Sequence, residues 1–238
     1  MMKEKLKAVL EHAGYHVNRI DKNRVEAFEG GPAYDERCAR YADQLTNLQL
    51  TKAHYGCGDI FFGSEWANID CQDLASLPGQ TYFRADLTAF HPFPSDVFQF
   101  AYAEDFLEHL TQADSLIFLS EAYRCLQPGG VLRLSFPGLK QVLAMHFRES
   151  HYEGASIGKA EAFTPYGHHH FYCEESLDIT ARHIGFSHVV FADYGESNYA
   201  ELRGLEMRAD QKELNIHAEL TKPPSASSPG MNEPAQSS

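Results

Sequence analysis

Six consecutive residues, His54-Tyr55-Gly56-Cys57-Gly58-Asp59, have the composition of a backbone cradle. Two glycines one residue apart let the chain turn tightly and bring main-chain N–H groups close to a ligand, because no Cβ intervenes. The apolar Leu48-Gln49-Leu50 stands before them and reads as the strand-like run from which the loop emerges. In an open α/β sheet, that is where a small polar cofactor binds. A second candidate for chemistry is the run His168-His169-His170. Adjacent residues of an extended segment point to opposite faces, so three histidines in a row are poorly placed to hold one ion. The spacing of the run lacks a partner pair such as His-x-x-x-His on a helix, and no metal is expected. The five cysteines (Cys38, Cys57, Cys71, Cys125, Cys173) are scattered and form no Cys-x-x-Cys pair, which indicates neither a disulfide framework nor a zinc site.

The elements that must position these residues alternate regularly from residue 46. Strand one ends at Gly56, Trp66-Ala67-Asn68-Ile69 ends in Asp70, and Tyr82-Phe83 exits through Arg84-Ala85-Asp86. Val97 to Tyr102 forms a fourth strand, followed by a helix over 111–126 with Leu116, Leu119, Tyr123 and Leu126 at helical spacing. Gln127-Pro128-Gly129-Gly130 turns the chain into a fifth strand, Val131 to Phe136, that stops at Pro137. Further helices are expected over 138–148 and 174–184, the latter stopped by Gly185, with a strand over Phe186 to Phe191. Leu214, Ile216 and Ala218 alternate as in an antiparallel edge strand. Strands alternating with helices imply an α/β, doubly wound, mostly parallel sheet with helices on both faces.

Residues 1–45 read as a helical appendage, with a helix over 3–13 (Leu6, Val9, Leu10) stopped by Gly14, a short strand from Tyr15 to Ile20, a break at Gly30-Gly31-Pro32 and a second helix over 34–45. The main domain spans 46–220. From Thr221 to Ser238 the chain has almost no large apolar residue and reads as a disordered tail. The formal charge of −13 disfavours nucleic acid or an anionic membrane as main partner. No run approaches transmembrane length, which with the cysteine pattern places the chain in a reducing, cytoplasmic setting.

The ordered set Gly56-Cys57-Gly58, Trp66-Ala67-Asn68-Ile69-Asp70, Ala85-Asp86-Leu87, Glu104-Asp105-Phe106-Leu107-Glu108-His109-Leu110 and Leu126-Gln127-Pro128-Gly129-Gly130-Val131-Leu132 resembles class I S-adenosylmethionine-dependent methyltransferases, most closely the methyltransferase type 11 group. The resemblance covers about residues 46–207. It implies a Rossmann-like sheet and S-adenosyl-L-methionine as cofactor. It further implies that Gly56, Cys57 and Gly58 pass under the amino-acid part, Asp70 accepts from the ribose hydroxyls, Asp86 and Leu87 face the adenine, and Ala103 and Glu104 flank the methionine part. Two positions depart from the pattern: His54 stands where an acidic residue is usual, and Ile60 replaces a third glycine. His54 is kept as a cofactor-binding candidate.

Methyl transfer from a sulfonium is an in-line displacement governed by alignment and desolvation, and a base is needed only for an acceptor of high pKa. His109 is the candidate base, with Glu108 read as starting the following helix. His169 and His170, which precede a helix bordering the acceptor pocket in the resembling family, are candidates for substrate contact. The expected function is methylation of a small-molecule or sugar-like acceptor. A catalytically silent protein that binds cofactor or a partner is the alternative. A nicotinamide enzyme is disfavoured because Phe61 stands where Gly-x-Gly-x-x-Gly needs glycine. The acceptor, the atom methylated and the oligomeric state are not fixed by the sequence.

Overall fold

In the computed structural model the described residues are 32–74, 79–146, 156, 160 and 162–225. The helix expected over 3–13, the strand from Tyr15 to Ile20, the break at Gly30-Gly31 and most of the expected tail (226–238) lie outside them.

Seven strands form one sheet: β1 Lys52–Tyr55, β2 Trp66–Asp70, β3 Thr81–Arg84, β4 Phe98–Glu104, β5 Leu126–Pro137, β6 His188–Ala192 and β7 Asn215–Thr221. Their spatial order is β3-β2-β1-β4-β5-β7-β6. The first five pair in parallel, while β7 pairs antiparallel with both β5 and β6. The alternation at Leu214, Ile216 and Ala218 therefore marks the antiparallel strand, which sits between β5 and an outermost β6. β2 is buried along its whole length, as expected of a sheet covered on both faces. The chain runs β1 to β3 towards one edge and then crosses back to β4 beside β1. The strand order thus reverses between the carboxyl ends of β1 and β4, where such sheets open a ligand crevice.

Helices packed around the sheet among the described residues include α1 Pro32–Asn47, α2 Gln112–Cys125, α3 Leu139–His146 and α4 Glu174–Ile184. α1 buries Tyr41 and Leu45 in the main core, and the Tyr41 hydroxyl donates to Arg84 O at 2.9 Å. The Leu48-Gln49-Leu50 run proves not to be strand. It closes α1: Leu50 N–H donates to Leu45 O at 2.9 Å and Gln49 N–H to Thr46 O at 3.2 Å, with Gln49 left-handed at φ 54°. This is a Schellman arrangement with glutamine in the place glycine usually fills, so no stop signal was visible. The next helix begins after Thr111, whose Oγ1 accepts from Asp114 N–H at 3.2 Å, and Glu108 lies outside it in a 3-10 turn, Leu107–His109. At the other end the chain stays paired through Thr221 and Lys222. The Lys222 ammonium donates to Asp96 and to Leu126 O, each at 2.6 Å, so the expected tail is still docked where it was read to begin.

Two buried charge networks fix the loops around the sheet. Arg124 of α2 donates to Glu121 and to the carbonyls of His91 (2.8 Å) and Phe93 (2.7 Å), clamping the β3–β4 loop that carries Asp86 and Leu87. Arg133, fully buried on β5, donates to Glu219 on β7 at 2.9 Å and to Glu206, which ties the 205–208 segment over the sheet. Replacing Arg124 by alanine leaves Glu121 an uncompensated buried carboxylate. The expected loss is about 3 kcal/mol or more in urea denaturation; a loss well below that would show the clamp to be dispensable.

Burial lowers the imidazoles of His54 and His91 to about 4 and about 3. The unfolded chain takes up those protons where the folded chain does not. Stability is therefore full above the ordinary histidine range near 6.5 and is lost as the pH falls from there towards about 4. Urea midpoints should drop below about pH 6, a loss that Glu108 offsets in part because burial raises its carboxyl to about 8 and its contribution runs the other way.

Candidate active site

β1 ends at Tyr55, and the chain turns through Gly56 (φ 65°) and Gly58 (φ 51°), both left-handed. Gly56 is required twice over, since a Cβ there would run into the Phe106 ring. At Gly58 a Cβ would meet nothing within 4 Å, so this glycine leaves open room at the strand ends. Cys57 donates its N–H to Ile69 O at 3.2 Å. Burial and then the neighbouring Asp70 push its thiol up to about 12, so Cys57 is a neutral wall and not a nucleophile.

Asp70 ends β2 and is 8% exposed. One of its oxygens accepts from Gly58 N–H and the other from Gln72 N–H, both at 3.0 Å, so the carboxylate braces the glycine loop. Asp86 follows β3, where one oxygen accepts from the Thr88 N–H at 2.8 Å, and Leu87 is buried beside it. Ala103 and Glu104 end β4. The Glu104 carboxylate accepts from Met207 N–H at 3.1 and 3.2 Å, and burial raises its pKa. The glycine loop, Asp70, Asp86, Leu87, Ala103 and Glu104 thus all lie at the carboxyl ends of the adjacent strands β3-β2-β1-β4. His54 sits one residue back, inside β1. Its ring stacks on Phe62 at 4.0 Å and contacts Tyr102, a neutral aromatic contact where an acid would offer a charge.

Past Glu104 the chain turns through a left-handed Asp105 (φ 47°), whose N–H donates to Ser135 O at 2.9 Å. The following 3-10 turn carries Glu108 and His109 to the wall of a cavity of about 410 Å³. Asp105, Val142, His168, Arg208 and Leu214 also line it. His109 is partly exposed, its Nε2 3.9 Å from Glu108 Oε1, and its ring meets that of His168 edge-on at 5.0 Å. Glu108 is 1% exposed, its Oε2 has no hydrogen-bond partner among the described residues, and burial pushes its carboxyl up to about 8.

The histidine run is anchored by main chain: the N–H groups of His169 (2.8 Å) and His170 (3.3 Å) both donate to Glu108 O. His169 is exposed, and His170 packs edge-on against Tyr172 at 4.7 Å. The member of the run that lines the cavity is His168, which the sequence reading did not single out. Glu108 and Arg208 were likewise not marked as lining residues. Nothing in a local pattern distinguishes a buried glutamate in a turn from a helix-starting one.

A family model of the methyltransferase domain matches residues 47–134, the stretch from β1 through most of β5. No curated protein matches the sequence. Among solved structures, the chain is similar to a SAM-dependent methyltransferase of Thermotoga maritima described as a possible histamine N-methyltransferase (17% identity, TM-score 0.47, 78% of this chain and 91% of that one). It is also similar to a SAM-dependent methyltransferase of Archaeoglobus fulgidus (14% identity, TM-score 0.48, 82% and 96%). A third is a phosphoethanolamine N-methyltransferase of Haemonchus contortus bound to phosphomonomethylethanolamine and S-adenosylhomocysteine (12% identity, TM-score 0.47, 76% and 52%). The family match falls on the strands and loops that gather the glycine cradle and the strand-end carboxylates, and over these residues the chain is similar to the methyltransferase domain.

Proposed function

We propose that the protein transfers a methyl group to a small polar acceptor held in the cavity beyond β4, with S-adenosyl-L-methionine laid across the carboxyl ends of β3, β2, β1 and β4. The cofactor supplies a methyl group already activated on a positively charged sulfur. The chain's residues fit it: Gly58 leaves open room where any other residue would project a side chain, and acidic groups stand at successive strand ends around it. In this reading Gly56, Cys57 and Gly58 bear the amino-acid part, Asp70 the ribose, Asp86 and Leu87 the adenine, and Ala103 and Glu104 the methionine part, with His54 as a neutral contact behind the loop.

The observation that carries the acceptor assignment is the cavity itself. It adjoins the end of β4, and about 410 Å³ lies in the range that encloses a small molecule. Its wall is polar at Asp105, Glu108, His109 and Arg208 and apolar at Val142 and Leu214, which suits a compact hydroxylated or amine-bearing compound. His109 is the residue placed to take the acceptor's proton, being partly exposed and on the cavity wall. His169 and His170 are proposed to border the acceptor from the rim. The −13 charge supports a small molecule over a nucleic acid as acceptor.

Calorimetric titration with S-adenosylhomocysteine, with NAD in parallel, tests the cofactor site. Binding of the first and silence of the second is the expected outcome; silence of both would favour a protein without turnover. Asp70→Ala should weaken that binding by about 1.5–3 kcal/mol, since it removes both a charge-assisted acceptor and the brace on Gly58. Unchanged affinity would remove Asp70 from the site. Gly56→Ala should cost about 2 kcal/mol or more in stability through its left-handed backbone and the Phe106 ring. In a Phe106→Ala background, itself destabilised by the lost packing on Phe118, Gly56→Ala should cost less than in the wild type but still be unfavourable, because the backbone strain remains.

A further inference from the structure

Three side chains on the cavity wall converge although they come from segments about sixty residues apart in sequence. Glu108 and His109 lie on the 3-10 turn after β4, and His168 lies on the segment before α4. Their ligating atoms all fall within 4.8 Å of one another. Two imidazoles and one carboxylate, with one side left open, are the donor set of a catalytic-type zinc site, where three protein ligands leave a fourth position for a small molecule.

Independent features point the same way. The Glu108 Oε2 is fully buried and no donor among the described residues meets it, although an unsatisfied buried carboxyl oxygen is costly. His168 is already oriented for ligation. Its Nδ1 lies 2.9 Å from Ala162 O, and a carbonyl only accepts, so Nδ1 carries the proton and the lone pair is left on Nε2. The ring is further held by Tyr166 stacked on one side and Phe171 set edge-on. Asp105 is on the same wall and adds negative potential, partly offset by Arg208 at 3.3 Å.

We propose that Glu108, His109 and His168 form a binding site for one divalent cation of the zinc class, with its open position facing the acceptor cavity. The site deepens the proposed function and rests on the same cavity. With an ion bound, the His109 lone pair is committed to it, and the group that faces the acceptor is the ion and no longer a free imidazole. Only His168 of the three adjacent histidines belongs to this set, so no ion is shared among neighbours of the run.

The test is titration of the purified full-length protein, stripped of metal, with zinc sulfate by calorimetry, and metal content after dialysis. The expected result is one equivalent retained, and weakening on the order of tenfold or more in each of Glu108→Gln, His109→Asn and His168→Asn. Cobalt(II) in place of zinc should give visible absorption without a thiolate band, which separates this site from any cysteine. If Glu108→Gln fails to fold by circular dichroism, His168→Asn, at a partly exposed ring, carries the test. Failure of the wild type to retain zinc, or undiminished retention in the histidine variants, overturns the proposal. S-adenosylhomocysteine titration of the wild type is read separately: no zinc retained by the wild type with intact cofactor binding defeats the metal site alone, whereas absence of cofactor binding by the wild type defeats the methyltransferase reading.

Discussion

The parallel pairing of β1 with β4 is the constraint on which the site depends. Lys52, Ala53 and His54 lie opposite Phe100, Ala101 and Tyr102, so both strands deliver their carboxyl ends to the same level. The chain arrives at β4 only after going out through β2 and β3, and the resulting reversal of strand order opens a crevice at the carboxyl ends of β1 and β4. Apart from His54, which lies inside β1, every cofactor candidate lies at the end of one of these strands or in the first few residues after it. Moving the β1–β4 register by one residue would turn Tyr55 and His54 to opposite faces and take Gly56 away from Phe106.

Polar groups around this crevice are held by one another, which keeps its shape without help from the acceptor. Asp70 braces the glycine loop, Glu104 receives the Met207 N–H, and Arg124 with Glu121 pins the loop after β3. Arg133 with Glu206 and Glu219 holds the segment that closes over β4 and β7. Such buried pairs fix geometry more than they add stability, because desolvation offsets much of their attraction. Glu108, like Glu206, leaves one carboxyl oxygen without a hydrogen-bond partner among the described residues, but it lacks the arginine that faces Glu206.

Much of the fold was legible in the sequence, because its signals are local. The buried strands WANID and VLRLSF and the helix over 112–125 follow from apolar runs and periodicity, and Gly185 does end α4. The error at Leu48-Gln49-Leu50 has a local cause too: three residues cannot separate a helix end from a strand, and the glutamine at the left-handed position concealed the stop. The place of β7 between β5 and β6 was not legible, since alternation reports which residues face one way but not which strands stand on either side.

The sequence by itself determined the glycine cradle and the succession of strand ends, because a backbone turn and a hydrophobic period need only neighbouring residues. The tertiary structure alone decided which side chains meet in the cavity. His168 comes to Glu108 and His109 because the N–H groups of the next two residues, His169 and His170, bind one carbonyl on a turn some sixty residues earlier. That contact has no periodicity and no spacing to read. It exists only once β4, β5 and α3 have packed, and with it the protein places two imidazoles and a buried carboxyl on one wall.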